Sequence, residues 1–386
     1  MQKFTGRLLF LITVISFTLS CTSTKRAVQT TANISSLKFI SAYNIPYNFN
    51  YKQTTVGGLS GIDYDAKNNL YYMICDDRSD KNPARFYTAK IFFTQSSIDS
   101  LVFTGVKYML QPDGKVYPNN KQDRFKTPDP EAIRYNSKTR QLTWSSEGER
   151  IVSAKDTILT NPSIILINRN GKYRNSFTLP ANLNMQAMEK GPRRNGVLEG
   201  MSFADNYKTV FVNVEEPLYE DGPGAALTDN NAFIRIFKFD VAAQKNTAQY
   251  AYKLEPVAHA PNPETGFKIN GVSEILSLGN NKLLVMERSF SSGRLASTIK
   301  LFIADLNGAT DISLMELKDK PAFIPVKKTL LLNMDNLGIY TDNIEGMTFG
   351  PLLPNGHKTL IFVADNNFNA VEKAQVLLFE VIEEKE

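Results

Sequence analysis

A short phrase that returns five times along the chain constrains its fold more than any other feature. The copies are Gly58-Leu59-Ser60-Gly61-Ile62, Pro130-Glu131-Ala132-Ile133, Val197-Leu198-Glu199-Gly200-Met201, Val272-Ser273-Glu274-Ile275 and Ile344-Glu345-Gly346-Met347. Aligned on the residue between the apolar flanks, they give Ser60, Glu131, Glu199, Ser273 and Glu345, at spacings of 71, 68, 74 and 72. Each phrase is followed by an apolar run that ends in an acid. These acids are Asp76, Glu147, Glu215, Glu287 and Asp365, at offsets of 16, 16, 16, 14 and 20. A repeat of about seventy residues marks one supersecondary unit, copied and stacked, because a few short strands cannot bury both of their faces alone.

A third strand per unit is visible at residues 86–92, 164–168, 234–239, 299–304 and 376–381, and a fourth at 101–110, 175–179, 249–254 and 326–334. The last unit ends after its third strand. Residues 37–45, which alternate apolar and polar side chains before the first phrase, are the candidate for the missing one. The expected fold is all-β: a five-bladed β-propeller of four-stranded antiparallel blades over residues 36–386, closed by the N-terminal strand, which also removes the open sheet edge. In such a ring the five aligned residues open the innermost strands and meet on the axis. The five acids return to the same face and rim its mouth.

The first twenty residues read as an export signal. Lys3 and Arg7 form a basic start, residues 8–19 an apolar stretch too short to span a bilayer comfortably, and small residues precede Cys21. This resembles a bacterial lipoprotein signal in which Cys21 is lipidated and residues 21–35 are the anchor and tether. The expected location is the cell envelope, periplasmic or on the outer membrane. The alternative is an ordinary cleaved signal and a secreted protein. Net charge is +5 for the whole chain, and +3 once Lys3 and Arg7 leave, which is too small to point to nucleic acid. Cys75, alone in an apolar run, reads as a core filler.

Glu131, Glu199 and Glu345 on one axis would repel one another, and a hard cation offsets that. Three carboxylates with Ser60 and Ser273 suit the all-oxygen, high-coordination shell of calcium better than zinc, which favours His and Cys. The alternative is that water, arginine or turn backbone holds the carboxylates with no metal. Arg78, Arg150, Arg193, Arg194 and Arg288 follow the rim acids or enter the axial phrase closely enough to bind phosphate bidentately. Ion pairing with neighbouring acids would serve them equally well.

The phrases at 57–65 and 198–201, Cys75-Asp76-Asp77-Arg78, Arg85-Phe86-Tyr87, Glu215-Glu216-Pro217-Leu218, Ile344-Glu345-Gly346-Met347 and Ala364-Asp365-Asn366-Asn367 resemble the bacterial phytase-like family known as "esterase-like activity of phytase". The order Ser, Glu, Glu, Ser, Glu is similar, more distantly, to the central calcium site of five-bladed calcium-activated nucleotidases. The resemblance implies a phosphoester hydrolase; with the axial carboxylates, the expectation is a monomer that hydrolyses a small-molecule phosphoester with calcium, a rim acid or metal-held water serving as base. Two other classes stay open, a non-catalytic binding propeller with a structural ion and a carboxylester hydrolase. Against the latter, Ile62 stands where a Gly-x-Ser-x-Gly elbow needs its last glycine, and His259 and His357 lie in loop-like contexts.

Overall fold

The computed structural model describes residues 33–384. The signal segment, Cys21 and most of the tether therefore lie outside the described residues. Among these residues there are five four-stranded antiparallel sheets. The first contains Gly61–Asp65, Leu70–Cys75, Arg85–Phe93 and Ile98–Tyr108. The second contains Pro130–Asn136, Gln141–Ser146, Ser163–Asn168 and Tyr173–Ser176. The third is built from Leu198–Ala204, Thr209–Val214, Phe233–Asp240 and Lys245–Lys253, and the fourth from Lys268–Gly279, Lys282–Ser291, Thr298–Asp305 and Lys327–Asn333.

The fifth sheet joins the two ends of the chain. Asn343–Phe349, Thr359–Asp365 and Ala374–Glu383 are completed by Ile34–Ile45, which runs antiparallel to Ala374–Glu383 from Ile34 opposite Glu383 to Ile45 opposite Ala374. The protein is a five-bladed β-propeller whose N-terminal strand closes the ring. No helix among the described residues is long and apolar enough to cross a membrane.

The core lies between blades. Ile74 and Phe86 meet Ile133 and Trp144, Met201 and Val212 meet Ile275 and Val285, Met286 and Leu301 meet Met347 and Phe362, and Ile361 and Val363 meet Tyr71 and Met73. Because both faces of each sheet are covered, second strands such as Thr209–Val214 and Thr359–Asp365 are buried along their whole length. They read as continuous apolar runs without alternation.

The first strand of each blade lines the axis, and its start is irregular in a repeated way. Register shifts fall between Pro130 and Ile133, Leu198 and Met201, Val272 and Glu274, and Ile344 and Gly346. The aligned residues Glu131, Glu199, Ser273 and Glu345 sit inside these bulges, and Ser60 directly precedes the corresponding strand. A β-bulge re-aims a side chain. The following glycine permits close approach of the neighbouring blade: a Cβ on Gly200 would lie 2.5 Å from Asn213 Oδ1 and 2.6 Å from Ile275 N.

One turn deeper, the channel is closed by a buried ion pair. Arg134 donates hydrogen bonds to the main-chain carbonyls of Ile62, Met201, Ile275 and Met347, one on the inner strand of each of the other four blades. Its guanidinium also pairs with Glu274 at 2.5 Å. Glu274 stands where three sister phrases have glycine, and it accepts the N–H groups of Met201 (3.0 Å) and Ile275 (2.9 Å).

Candidate metal and ligand site

Above the Arg134–Glu274 pair, the propeller opens into a cavity of about 590 Å³. Of the five aligned residues, Glu131, Glu199 and Glu345 line it. Ser60 and Ser273 do not. The Ser60 hydroxyl donates to Glu131 O at 2.8 Å and that of Ser273 to Ile344 O at 3.4 Å, so both tie one inner strand to the next.

Four of the five rim acids return near this face, and the exception is Glu287. It is fully buried away from the cavity, where it accepts Tyr252 Oη (2.8 Å), Asn270 Nδ2 (2.7 Å) and Glu255 N (2.9 Å) and pairs with Lys328 (2.8 Å). Register gives the reason. The residue two beyond the aligned position pairs eleven residues on in the first three blades (Ile62 with Met73, Ile133 with Trp144, Met201 with Val212) but only ten on in the fourth, Ile275 with Val285. The tight Gly279-to-Lys282 turn brings the strand back one residue early. The fourth rim position therefore belongs to Arg288, between carboxylates at Glu215 (2.7 Å) and Glu345 (3.3 Å). Asp365 is buried at the edge and accepts Asn367 N at 2.7 Å, without lining the cavity.

The predicted arginines divide. Arg78, Arg194 and Arg288 line the cavity. Arg150 turns away to the carbonyls of Gln186 (2.9 Å) and Ala187 (3.1 Å). Arg193 lies on the Tyr219 ring and donates to Pro217 O (2.9 Å) and Gly222 O (2.7 Å). Neither histidine lines the cavity, and His357 pairs with Glu380 at 2.7 Å. No Ser-His-acid arrangement forms around Ser60.

Two residues absent from the sequence reading complete the site. Asp129 binds Arg78 closely and hydrogen-bonds the Asp76 carboxyl, and Arg78 also pairs with Glu149 at 2.6 Å. Asn343 donates to Glu345 at 2.8 Å. Asp129 and Asn343 occupy the same repeat position, two before the aligned residue. A polar residue there in two copies was the available signal.

The carboxylates fall into two electrostatic groups. Arg288 balances Glu215 and Glu345, and Arg78 balances Asp129 and Glu149. Asp76, Glu131, Glu147 and Glu199 form no ion pair among the described residues. Oxygens of Glu131, Glu147 and Glu199 lie within 4.8 Å of one another, as do those of Asp76, Asp129 and Glu131, so these groups could hold a metal ion. At that distance each pair of full charges repels by about 3 kcal/mol at an effective dielectric of ~20.

With protein groups alone around them, Asp76, Glu131 and Glu199 are pushed well above the carboxylate range, first by burial and then by neighbouring carboxylates: Asp129 for Asp76, Asp76 and Glu199 for Glu131, and Glu215 and Glu147 for Glu199. Glu147 and Glu345 are pushed up to about 8 by burial, against the pull of the Val197 N–H and of Arg288 respectively. Asp129 is raised as well, by burial, with Arg78 pulling it down. The donors are all oxygen, which fits a hard divalent cation and not zinc.

Among solved structures, similar chains include an endo-arabinase from Bacteroides thetaiotaomicron (13% identity, covering 89% of this chain and 98% of that one, TM-score 0.44). An exo-β-1,3-galactanase from Phanerochaete chrysosporium (12%, 88% and 64%, 0.45) and a periplasmic gluconolactonase from Pseudomonas aeruginosa (8%, 86% and 87%, 0.36) are others. No curated protein matches the chain. The family described as "Phytase-like: Esterase-like activity of phytase" matches residues 54–368, from the hairpin before the first blade to the last loop of the fifth. The chain belongs to that phytase-like family.

Proposed function

We propose that this protein is a calcium-dependent hydrolase of small phosphoesters, exported and held at the cell envelope through a lipid on Cys21. The observation that carries the reading is the set of carboxylates without ion-pair partners, half-buried Asp76 and buried Glu131, Glu147 and Glu199, in one open cavity with Arg78, Arg194 and Arg288. Glu131, Glu147 and Glu199 would hold the ion, with Asp76 and Asp129 as further oxygen donors at its edge. When bound, calcium supplies positive charge against the phosphoryl oxygens.

The remaining work falls to side chains of this chain. Arg194 has a side chain 59% exposed and a single ion pair, at 3.4 Å to Glu149, so its guanidinium is free to swing to a phosphate. Arg288, fixed by Glu215, Glu345 and Asn343, presents a fixed charge on the opposite side. Asp76, half-buried in the cavity lining, is the acid-base group of this reading. Burial first, and then the neighbouring Asp129 carboxylate, raise its pKa well above that of an ordinary aspartate. The buried Arg134–Glu274 pair beneath leaves one face for entry.

The test is phosphate release by the purified protein from a panel of phosphomonoesters and nucleotides, with calcium and with chelator, beside carboxylesters as controls. Calcium-dependent phosphate release is expected. Glu199→Gln, which keeps the shape of the side chain and removes one charge, should weaken calcium binding at least tenfold (about 1.4 kcal/mol) while the ring stays folded. A wild-type protein with no bound metal by elemental analysis and no calcium-dependent rise in melting temperature would remove the basis of the reading.

A further inference from the structure

We propose that the cavity selects phosphoesters whose alcohol carries an aromatic ring, seated against an apolar shelf on the fourth blade. The inference rests on the phosphoester reading of the same cavity and names its substrate class. Phe267, Ile269, Phe290 and Leu295 of the fourth blade and Val371 of the fifth line the cavity. Phe267 is 63% exposed, Leu295 67% and Val371 61%. Single exposed apolar side chains need no explanation, but three large ones converging on one cavity mark a ligand-facing surface.

The same cavity carries the carboxylates with Arg78, Arg288 and Arg294, and a lining of both kinds asks for a ligand that is anionic at one end and apolar at the other. The rings of Phe267 and Phe290 lie 6.3 Å apart with planes tilted by 38°. Rings so placed offer a face to a further ring, and such contacts add to what burial alone gives. An acyl chain would gain burial only, and a polyol phosphate neither. The cavity's volume is within the range of small-molecule sites.

In the reaction so proposed, the oxygen of water forms a new P–O bond as the P–O bond to the ring-bearing alcohol breaks. One proton of the water ends on the departing alkoxide, which leaves as the free alcohol. Phosphate is the second product, and no oxidant or other co-reactant is needed.

The experiment measures calorimetric binding and phosphate release by the full-length protein with phenyl phosphate, glycerol 2-phosphate, inositol hexakisphosphate and an acyl-glycerol phosphate. Phenyl phosphate should bind about tenfold more tightly than glycerol 2-phosphate. In Phe267→Ser and in Leu295→Ser, both at exposed loop positions where folding is not at stake, that ratio should collapse to within about threefold. Ring-selective binding without phosphate release supports the shelf and overturns the hydrolase reading. Equal affinity for the two small phosphates overturns the shelf. So does tighter binding of the acyl or inositol phosphate, a ratio untouched by the substitutions, or binding of none of the four.

Discussion

Replacing Arg134 with methionine removes a guanidinium that touches all five inner strands, and the size of the effect follows from what is left behind. Glu274 is buried, and its carboxyl is already raised to about 7 by burial, with Arg134 pulling it down. Without that partner the charge is uncompensated, and breaking a buried pair in this way costs about 3–5 kcal/mol. About 350 described residues, at roughly 2.1 cal/mol/K each, give an unfolding entropy near 0.7 kcal/mol/K, so the melting temperature should fall by about 4–7 °C. The loss must depend on pH. Glu274 has a folded pKa above its ordinary value of 4.5, so the stability it permits is present below that value and is lost as pH rises through the folded pKa. Arg134→Met should therefore be closer to wild type at about pH 5 than at about pH 8. Adding Glu274→Leu should restore part of the loss, because it removes the stranded Glu274 carboxylate while Asp63, 3.9 Å from Arg134, still loses its partner. The assay is scanning calorimetry of wild type, both single variants and the double variant at both pH values. A pH-independent deficit, or a double variant whose loss is the sum of the single ones, would refute the ion-pair plug.

Deleting residues 22–46 removes the closing strand, exposes the edge of Ala374–Glu383 and should leave an aggregating or unfolded chain, whereas deleting 22–33 should melt like the full protein; light scattering and paired melts decide it. In chelator, the raised carboxyls should make the protein less stable as pH rises. Their contribution is intact below the ordinary values of 3.8 and 4.5 and is lost through about 7 for Asp365 and about 8 for Glu147 and Glu345. Calcium should flatten that decline and bind more tightly at higher pH, which a calcium titration at two pH values measures. Cys21→Ala should move the protein from the membrane fraction to the soluble one; unchanged partitioning would rule out the lipid anchor.

The ring was legible because blades repeat: strand positions, the closing strand and the three axial glutamates follow from spacing and alternation alone. What escaped was register. An acid fourteen residues after Ser273 looked like its four sisters, yet a hairpin one residue shorter hands the rim position to Arg288 and turns Glu287 toward Lys328. Arg134 escaped for a related reason. Strict alternation puts residues three apart on opposite faces of a strand, but the bulge at Glu131 resets the count, and both side chains face the axis. The trace it leaves in the sequence is a polar residue three after the aligned position in four copies, Asp63, Arg134, Ser202 and Thr348.

The exchange at the fourth rim position also explains why the cavity has two unlike halves. Five acids above three axial glutamates would leave no group of the ring itself to balance them. Arg288 in place of one acid pairs with Glu215 and Glu345, so the carboxylates placed to share a cation, Asp76, Glu131, Glu147 and Glu199, gather on the first three blades. Glu131, Glu147 and Glu199 would hold a cation there, and the space beside Arg288 would be left for an anion. Substituting Arg288→Gln should therefore do more than remove one positive charge. It frees Glu215 and Glu345 to compete for the cation, so calcium should bind in greater number or with greater affinity while phosphate binding weakens. Calorimetric titration with each ion separately measures both changes. If the two affinities fall together, Arg288 serves the structure of the mouth as a whole and the division into halves is wrong.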